Sequence, residues 1–407
     1  MQAKICTSNE HIEEEILNFG VPGGRGSINF LRSIRDMLAG HSESKVDIST
    51  KWDGAPAIFA GIDPTDGQFF VATKGVFNKT PKLAKTEKDL DQYHAGLRSK
   101  LKIALKYVSK LGIPKGVVLQ GDLMYTKADQ EIKVIDGEKH VVFQPNTIAY
   151  AIPVKSDFGK RILNTKIGVI WHTTYSGGPT LADMTASFGA DVTSLNRSAA
   201  VWFDNATYHD LSGRVKFTLK ETQVVTKHLS KAGKVFQKIS SKELAHFLKV
   251  QNSLGSAVGA SFKTFTNTKV RAGVKIDNPR AHTREYYRYF EEWWKKQIDA
   301  AKMEKTKKQK TKLMKEHLKN LRQVEKTLRQ VIEFQGHLVD AKEMIIAKLN
   351  SGASRMTRTF IKTADGYKIT PHEGFVAIDR LSGNAVKLIS RLTFSHNNFT
   401  ALKNWTK

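Results

Sequence analysis

Cysteine is almost missing from this sequence: Cys6 stands alone among 407 residues. That excludes an intrachain disulfide and any cysteine-cluster zinc site, and it fits an intracellular, cytoplasmic protein. A metal would have to sit on oxygen ligands or histidine. No run of 18 or more apolar residues occurs, and the first residues, with Asn9, Glu10 and Glu13 to Glu15, lack the apolar centre of a signal peptide. Neither a membrane span nor export is therefore expected. Acidic residues are scarce too, with 39 Asp and Glu facing 65 Lys and Arg for a formal net charge of +26. So basic a chain expects a polyanion as partner. The hydrophobic share of 40% nevertheless suffices for a packed core, and the length predicts two or three domains.

From 283 to 350 proline is absent and glycine occurs only at Gly336. Ala, Glu, Lys, Leu and Gln dominate, which is the composition of long helices, and two antiparallel helices are expected. Between 295 and 329 there are 13 Lys and Arg against 4 acids, with apolar positions too sparse for sustained heptads. A solvated basic rod follows. A second basic zone, 74–115, has 11 Lys and Arg against 3 acids, and the two zones together point to a nucleic-acid groove. Trp293-Trp294 could stack on bases, or anchor a helix to the body of the protein.

Elsewhere the texture is mixed. Ser27, Leu31, Ile34, Leu38 and Gly40 predict a short capped helix. The glycine-rich 20–27 ahead of it reads as a phosphate cradle or as a flexible loop; the loop is favoured because its spacing matches no phosphate-loop pattern. Residues 46–74 predict a β-hairpin turning at Asp63-Pro64-Thr65-Asp66-Gly67. Thr86 and Asp89 form a capping-box pattern before the stripe Leu90, Tyr93, Leu97, Leu101, Leu105 and Val108, which predicts a helix closed by Gly112 and Pro114. Strands are expected at 117–119, 141–143, 168–171, 374–378 and 385–389, with a strand-like 215–219 and a helix-like 242–250. The fold class is α+β rather than a regular βαβ alternation.

Lys51-Trp52-Asp53-Gly54, Gly121-Asp122-Leu123-Met124, Glu373-Gly374-Phe375-Val376 and Val386-Lys387-Leu388-Ile389 occur in that order. They resemble four motifs of the covalent nucleotidyltransferases, the superfamily of ATP-dependent DNA ligases, RNA ligases and mRNA capping enzymes. The spacing of 14 residues between Glu373 and Lys387 is also as in relatives. The resemblance covers these short segments only. It implies a ligase-type domain of antiparallel sheets flanked by helices, ATP and Mg²⁺ as cofactors, and RNA or DNA ends as substrate. It implies that Lys51 forms a phosphoramidate with a nucleotide, for which the amine must be neutral. Burial and a nearby cation, Lys387 by the resemblance, would favour that form, and Lys387 would also neutralise charge growing on the phosphate. Glu373 would lie near the metal, and Asp122 would take the place of a glutamate that touches the ribose. Asp53 and Gly54 would shape the turn after the nucleophile, with the glycine letting backbone approach the nucleotide. Trp171, with Phe143 behind it, is the stacking ring so implied. Lys74, on the hairpin's return strand, would contact phosphates.

Singly, each residue has a plainer reading: Lys51 and Asp122 as turn residues, Glu373 as a solvated carboxylate, Lys387 as a snorkelling edge lysine, and His372 as an exposed histidine rather than a helper of Glu373. The sequence also departs from the family. Ala55-Pro56-Ala57 stands where many relatives have an arginine, Ile378 where they often have a lysine, and Leu388-Ile389 follows Lys387 where a second lysine is common. Arg380 or Arg391 could compensate. The 251 residues from Asp122 to Glu373 must hold an insertion, and too little follows Ile389 for an OB domain, which favours phage-type RNA ligases as the nearest comparison. The expected organisation is an N-terminal helical segment at 1–45 packing on the core, a nucleotidyltransferase core at 46–280 and 351–407, and a basic helical insertion at 283–350. The competing functions are a degenerate member that only binds nucleic acid, and an assembly protein that binds a partner through the insertion.

Overall fold

The structure is a computed structural model, and it describes residues 11–41, 46–208, 215–352, 358–363, 366–379 and 385–400. In chain order, α1 (Glu15–Leu38) precedes β1 (Val46–Lys51), β2 (Ala57–Ile62), β3 (Phe69–Ala72) and β4 (Leu83–Ala84). Then come α2 (Ala95–Val108), β5 (Val117–Thr126), β6 (Glu131–Ile135), β7 (Glu138–Phe143), β8 (Ile148–Pro153), α3 (Asp157–Asn164), β9 (Ile167–Ser176), β10 (Thr185–Phe188) and β11 (Val201–Asn205). Six helices follow: α4 (Leu219–Phe236), α5 (Ser241–Asn252), α6 (Phe262–Arg271), α7 (Pro279–Asp299), α8 (Glu304–Gln323) and α9 (Glu325–Gly352). The chain ends in β12 (Arg358–Thr363), β13 (Gly366–Ile369), β14 (Gly374–Asp379), β15 (Ala385–Leu388) and α10 (His396–Thr400). The protein is thus α+β, and no described helix is long and apolar enough to cross a membrane.

Two compact units divide the chain. One comprises 1–46, 215–351 and 384–400, the other 47–214, 352–383 and 401–407. The division differs from the expected one: residues 215–280 go with the helices, and so does the N-terminal segment.

In the sheet unit, one antiparallel sheet runs β10-β9-β5-β2-β3-β4, with β11 added in parallel to β9. A second runs β13-β12-β8-β7-β6, and β1 lies beside β14. Alternation sorts the first sheet's faces. Ile58, Leu119, Leu123, Val169 and Trp171 point into a core shared with Leu101, Ala104 and Val108 of α2. Phe59, Phe70 and Val118 fill a smaller core on the opposite face. The expected capping box at Thr86 and Asp89 does not form: the Thr86 N–H and hydroxyl both donate to the Asp89 carboxylate, and the short 3-10 turn over Lys88–Gln92 has no side-chain cap. α2 is capped instead by His94, whose ring accepts from the Leu97 N–H.

The helical unit packs Phe247, Phe262, Phe265, Tyr286, Phe290, Trp294, Leu321, Leu328 and Ile332 into one core. Trp294 is therefore a packing residue. Three helices fill 283–350 where two were expected, because short breaks at 300–303 and Val324 separate them without proline or glycine. The strand-like 215–219 instead leads into α4, where Thr218 and Glu221 form a capping box. The glycine-rich segment is neither loop nor cradle. It is folded into α1 after a kink at Gly20, and a side chain at Gly24 would stand 2.5 Å from the Phe236 ring. Ser27 does not cap; its hydroxyl donates to the carbonyls of Gly23 and Ile12. Lys342, wholly buried, meets both carboxylate oxygens of Glu13 at 2.7 and 2.8 Å.

Candidate active site around Lys51

β1 delivers Lys51 to its end, and the chain turns through Trp52, Asp53 and Gly54 before β2. Asp53 holds this turn. It is only 4% exposed, and its carboxylate accepts from the Thr147 N–H at 2.7 Å, the Ile148 N–H at 2.6 Å and Asn146 Nδ2 at 2.7 Å. Its own N–H donates to Tyr150 Oη at 2.8 Å. The turn is thereby fixed to the start of β8 in the other sheet. Gly54 is required by close approach: a Cβ there would lie 2.5 Å from that of Asp122 and 3.0 Å from Met124 Sδ.

Asp122 sits on β5 opposite Ala57 of β2, with His172 Nε2 at 3.8 Å from its Oδ1. Glu373, immediately before β14, brings Oε2 to 2.7 Å from Lys51 Nζ across 322 residues of sequence. Four of the expected residues, Lys51, Asp53, Asp122 and Glu373, therefore belong to one electrostatic group.

The charge of this group is unbalanced. Burial pulls the Lys51 amine down, but Glu373, Asp122 and Asp53 outweigh it and hold the amine above its ordinary value. The expected neutral lysine is thus not its state here. Burial pushes Glu373 up to about 7, Lys51 opposing and Asp53 and Asp122 adding to the rise. Burial likewise raises Asp53, against the three donors it accepts from. Three carboxyls around one amine leave two negative charges in excess when all are ionised, so the group retains a proton near neutrality or takes up a cation. His372 does not offset the excess, because burial lowers it to about 4. Its Nδ1 is buried without a hydrogen-bond partner among the described residues, and its ring lies 5.8 Å from Trp52 and 6.4 Å from Tyr150.

Other expected positions fall elsewhere. Trp171 is fully buried in the α2-facing core, so it packs and cannot stack on a base. Its neighbours Ile170 and His172 occupy the Asp122 face, since side chains alternate along β9. Phe143 packs against Tyr125 and Tyr150 rather than behind Trp171. Lys74 begins a 3-10 turn after β3 and is exposed, not part of the return strand. Lys387 lies on β15, in the helical unit. Arg391, in the same unit, pairs with Glu14 at 2.5 Å, and Arg380 lies outside the described residues. Tyr150, Asn146 and His172 were not singled out beforehand. None belongs to a short motif, and Asn146 is 93 residues from the Asp53 carboxylate it donates to.

Basic charge is patterned on α8. Lys305, Lys308, Lys312, Lys315, Lys319 and Arg322 are all exposed and recur at alternating steps of three and four, which places them along one face of the helix.

The chain belongs to DUF6267, a family of unknown function, whose profile it matches over residues 9–403. No curated protein and no solved structure matches it.

Proposed function

We propose that this protein is an ATP-dependent, polynucleotide-ligase-like nucleotidyltransferase that works through a nucleotide bound covalently to Lys51. The observation behind this reading is the 2.7 Å contact between Lys51 Nζ and Glu373 Oε2, flanked by Asp53 and Asp122. Antiparallel sheets in the unit that carries Lys51 are in keeping with a ligase-type domain.

In the proposed first step Lys51, held protonated in the free protein, gives up its proton to Glu373, the acceptor already in hydrogen-bond contact. The free amine attacks the α-phosphorus, a P–N bond forms, and the bond to the bridging oxygen breaks with release of pyrophosphate. A strand's 5′-phosphate then displaces Lys51 from the nucleotide, and attack by a 3′-hydroxyl releases AMP. Glu373 and Asp122 offer hard oxygen ligands suited to Mg²⁺, and the excess of two negative charges is what a divalent cation neutralises. Bound there, Mg²⁺ would withdraw charge from the phosphate oxygens. Lys74 is assigned to phosphate contacts, and the α8 stripe to the nucleic-acid backbone.

Incubation with Mg²⁺ and α-labelled ATP should leave label on the wild type and none on Lys51→Ala. A wild type unlabelled by both ATP and GTP overturns the reading. A second reading, nucleic-acid binding without catalysis, is favoured by the charged state in which Lys51 is held. It expects Lys51→Ala to bind nucleic acid normally, and ATP-dependent strand joining that this variant abolishes would exclude it.

A further inference from the structure

A separate constellation lies within the helical unit and does not depend on the nucleotidyltransferase reading. His337 and Asp340 stand one turn apart on α9, and His228 faces them from α4. One ligand atom from each of the three lies within 4.8 Å of the other two. The helices are packed on both sides of this point, by Lys348 with Glu221 and by Phe236 with Phe334, so the three side chains are presented on fixed backbone.

His228 Nδ1 lies 3.5 Å from Asp340 Oδ2. That is beyond a good hydrogen bond, but two ligands about 2.1 Å from a tetrahedral ion are about 3.4 Å apart. The Nδ1 atom is out of contact with water and has no hydrogen-bond partner among the described residues. An imidazole and a carboxylate meeting only as an ion pair would be expected to close to hydrogen-bond distance. The other charged groups facing the cluster are Lys275, 3.4 Å from Asp340 Oδ1, and Lys231 and Glu333 near His337. Lys275 engages the oxygen turned from His228 and leaves Oδ2 for the ion.

We propose that His228, His337 and Asp340 bind one divalent transition-metal ion of the zinc class and clamp α4 to α9. Two imidazoles and one carboxylate select against Mg²⁺ and Ca²⁺, which prefer oxygen alone. Three protein ligands leave a fourth position for water.

Chelator-treated protein titrated with Co²⁺ should develop a visible ligand-field band that saturates at one equivalent and is displaced by Zn²⁺. Zn²⁺ should also raise the thermal midpoint, while Mg²⁺ at the same concentration should not. His337→Gln should weaken Zn²⁺ binding by more than about tenfold and remove the thermal shift, with its metal-free circular dichroism unchanged. Asp340→Asn makes the same comparison if His337→Gln does not fold. No band and no thermal shift in the wild type would overturn the proposal, as would a folded variant that binds Zn²⁺ as tightly as the wild type.

Discussion

Glu373 meets the amine of Lys51, and burial, to which the charges of Asp53 and Asp122 add and which Lys51 opposes, sets how it responds to pH. Glu373 rises from an ordinary value of 4.5 to about 7 on folding. A carboxyl raised in this way supports the fold while protonated, so its contribution is complete below about pH 4.5 and fades as pH climbs through 7. Glu373→Gln removes that titration. The stability of wild type relative to this variant should therefore fall between pH 5 and pH 8, by up to about 3 kcal/mol. Denaturant unfolding at the two pH values measures it, and a difference that does not change with pH would contradict a Glu373 carboxyl raised by folding. Asp53 has a different task, which is to hold the turn. Asp53→Ala should cost about 3 kcal/mol through its three lost hydrogen bonds, and Tyr150→Phe about 1 kcal/mol through one. Equal costs in the same unfolding experiment would mean that the carboxylate network is not what fixes Lys51.

Among the elements, strands announced by apolar runs between turn residues were legible. β2 and β3 form the hairpin around Asp63–Gly67, and β5, β7, β9 and β14 contain the segments expected at 117–119, 141–143, 168–171 and 374–378. What escaped local reading depended on partners distant in sequence. α1 runs through a glycine-rich stretch because its backbone approaches Phe236, more than two hundred residues away. The orientation of Trp171 was hidden because β9 is buried from Ile167 to Trp171, and a strand covered on both faces shows no alternation in its sequence. The motif residues Lys51, Asp122 and Glu373 could be found one at a time, whereas the network around Asp53 could not. α8 matches its expected character as a solvated basic rod: Leu321 is its one buried residue. If its six exposed cations contact duplex phosphates, binding should fall with salt at a log–log slope near −5. Replacing Lys308, Lys312 and Lys315 by Gln should bring the slope to about −3. A slope unchanged by the triple replacement would remove α8 from the interface.

Across the whole molecule, both compact units are discontinuous in sequence. The helical one draws on 1–46, 215–351 and 384–400, while the unit with the candidate site needs both 47–214 and 352–383. Residues 283–350 are therefore not an excisable insertion. They supply Tyr286, Phe290, Trp294, Leu321, Leu328 and Ile332 to the helical core, and their deletion should abolish that unit's cooperative thermal transition by circular dichroism. A sharp transition retained by the shortened chain would show that the helices form a module of their own. The same non-local assembly brings Lys51 to Glu373, the pair on which the proposed nucleotidyl transfer rests. The most direct measurement is intact-protein and peptide mass spectrometry after exposure to ATP and Mg²⁺. The account predicts one added AMP, confined to the peptide containing Lys51 and lost in Lys51→Ala. An unmodified Lys51 peptide after exposure to ATP and to GTP would contradict it.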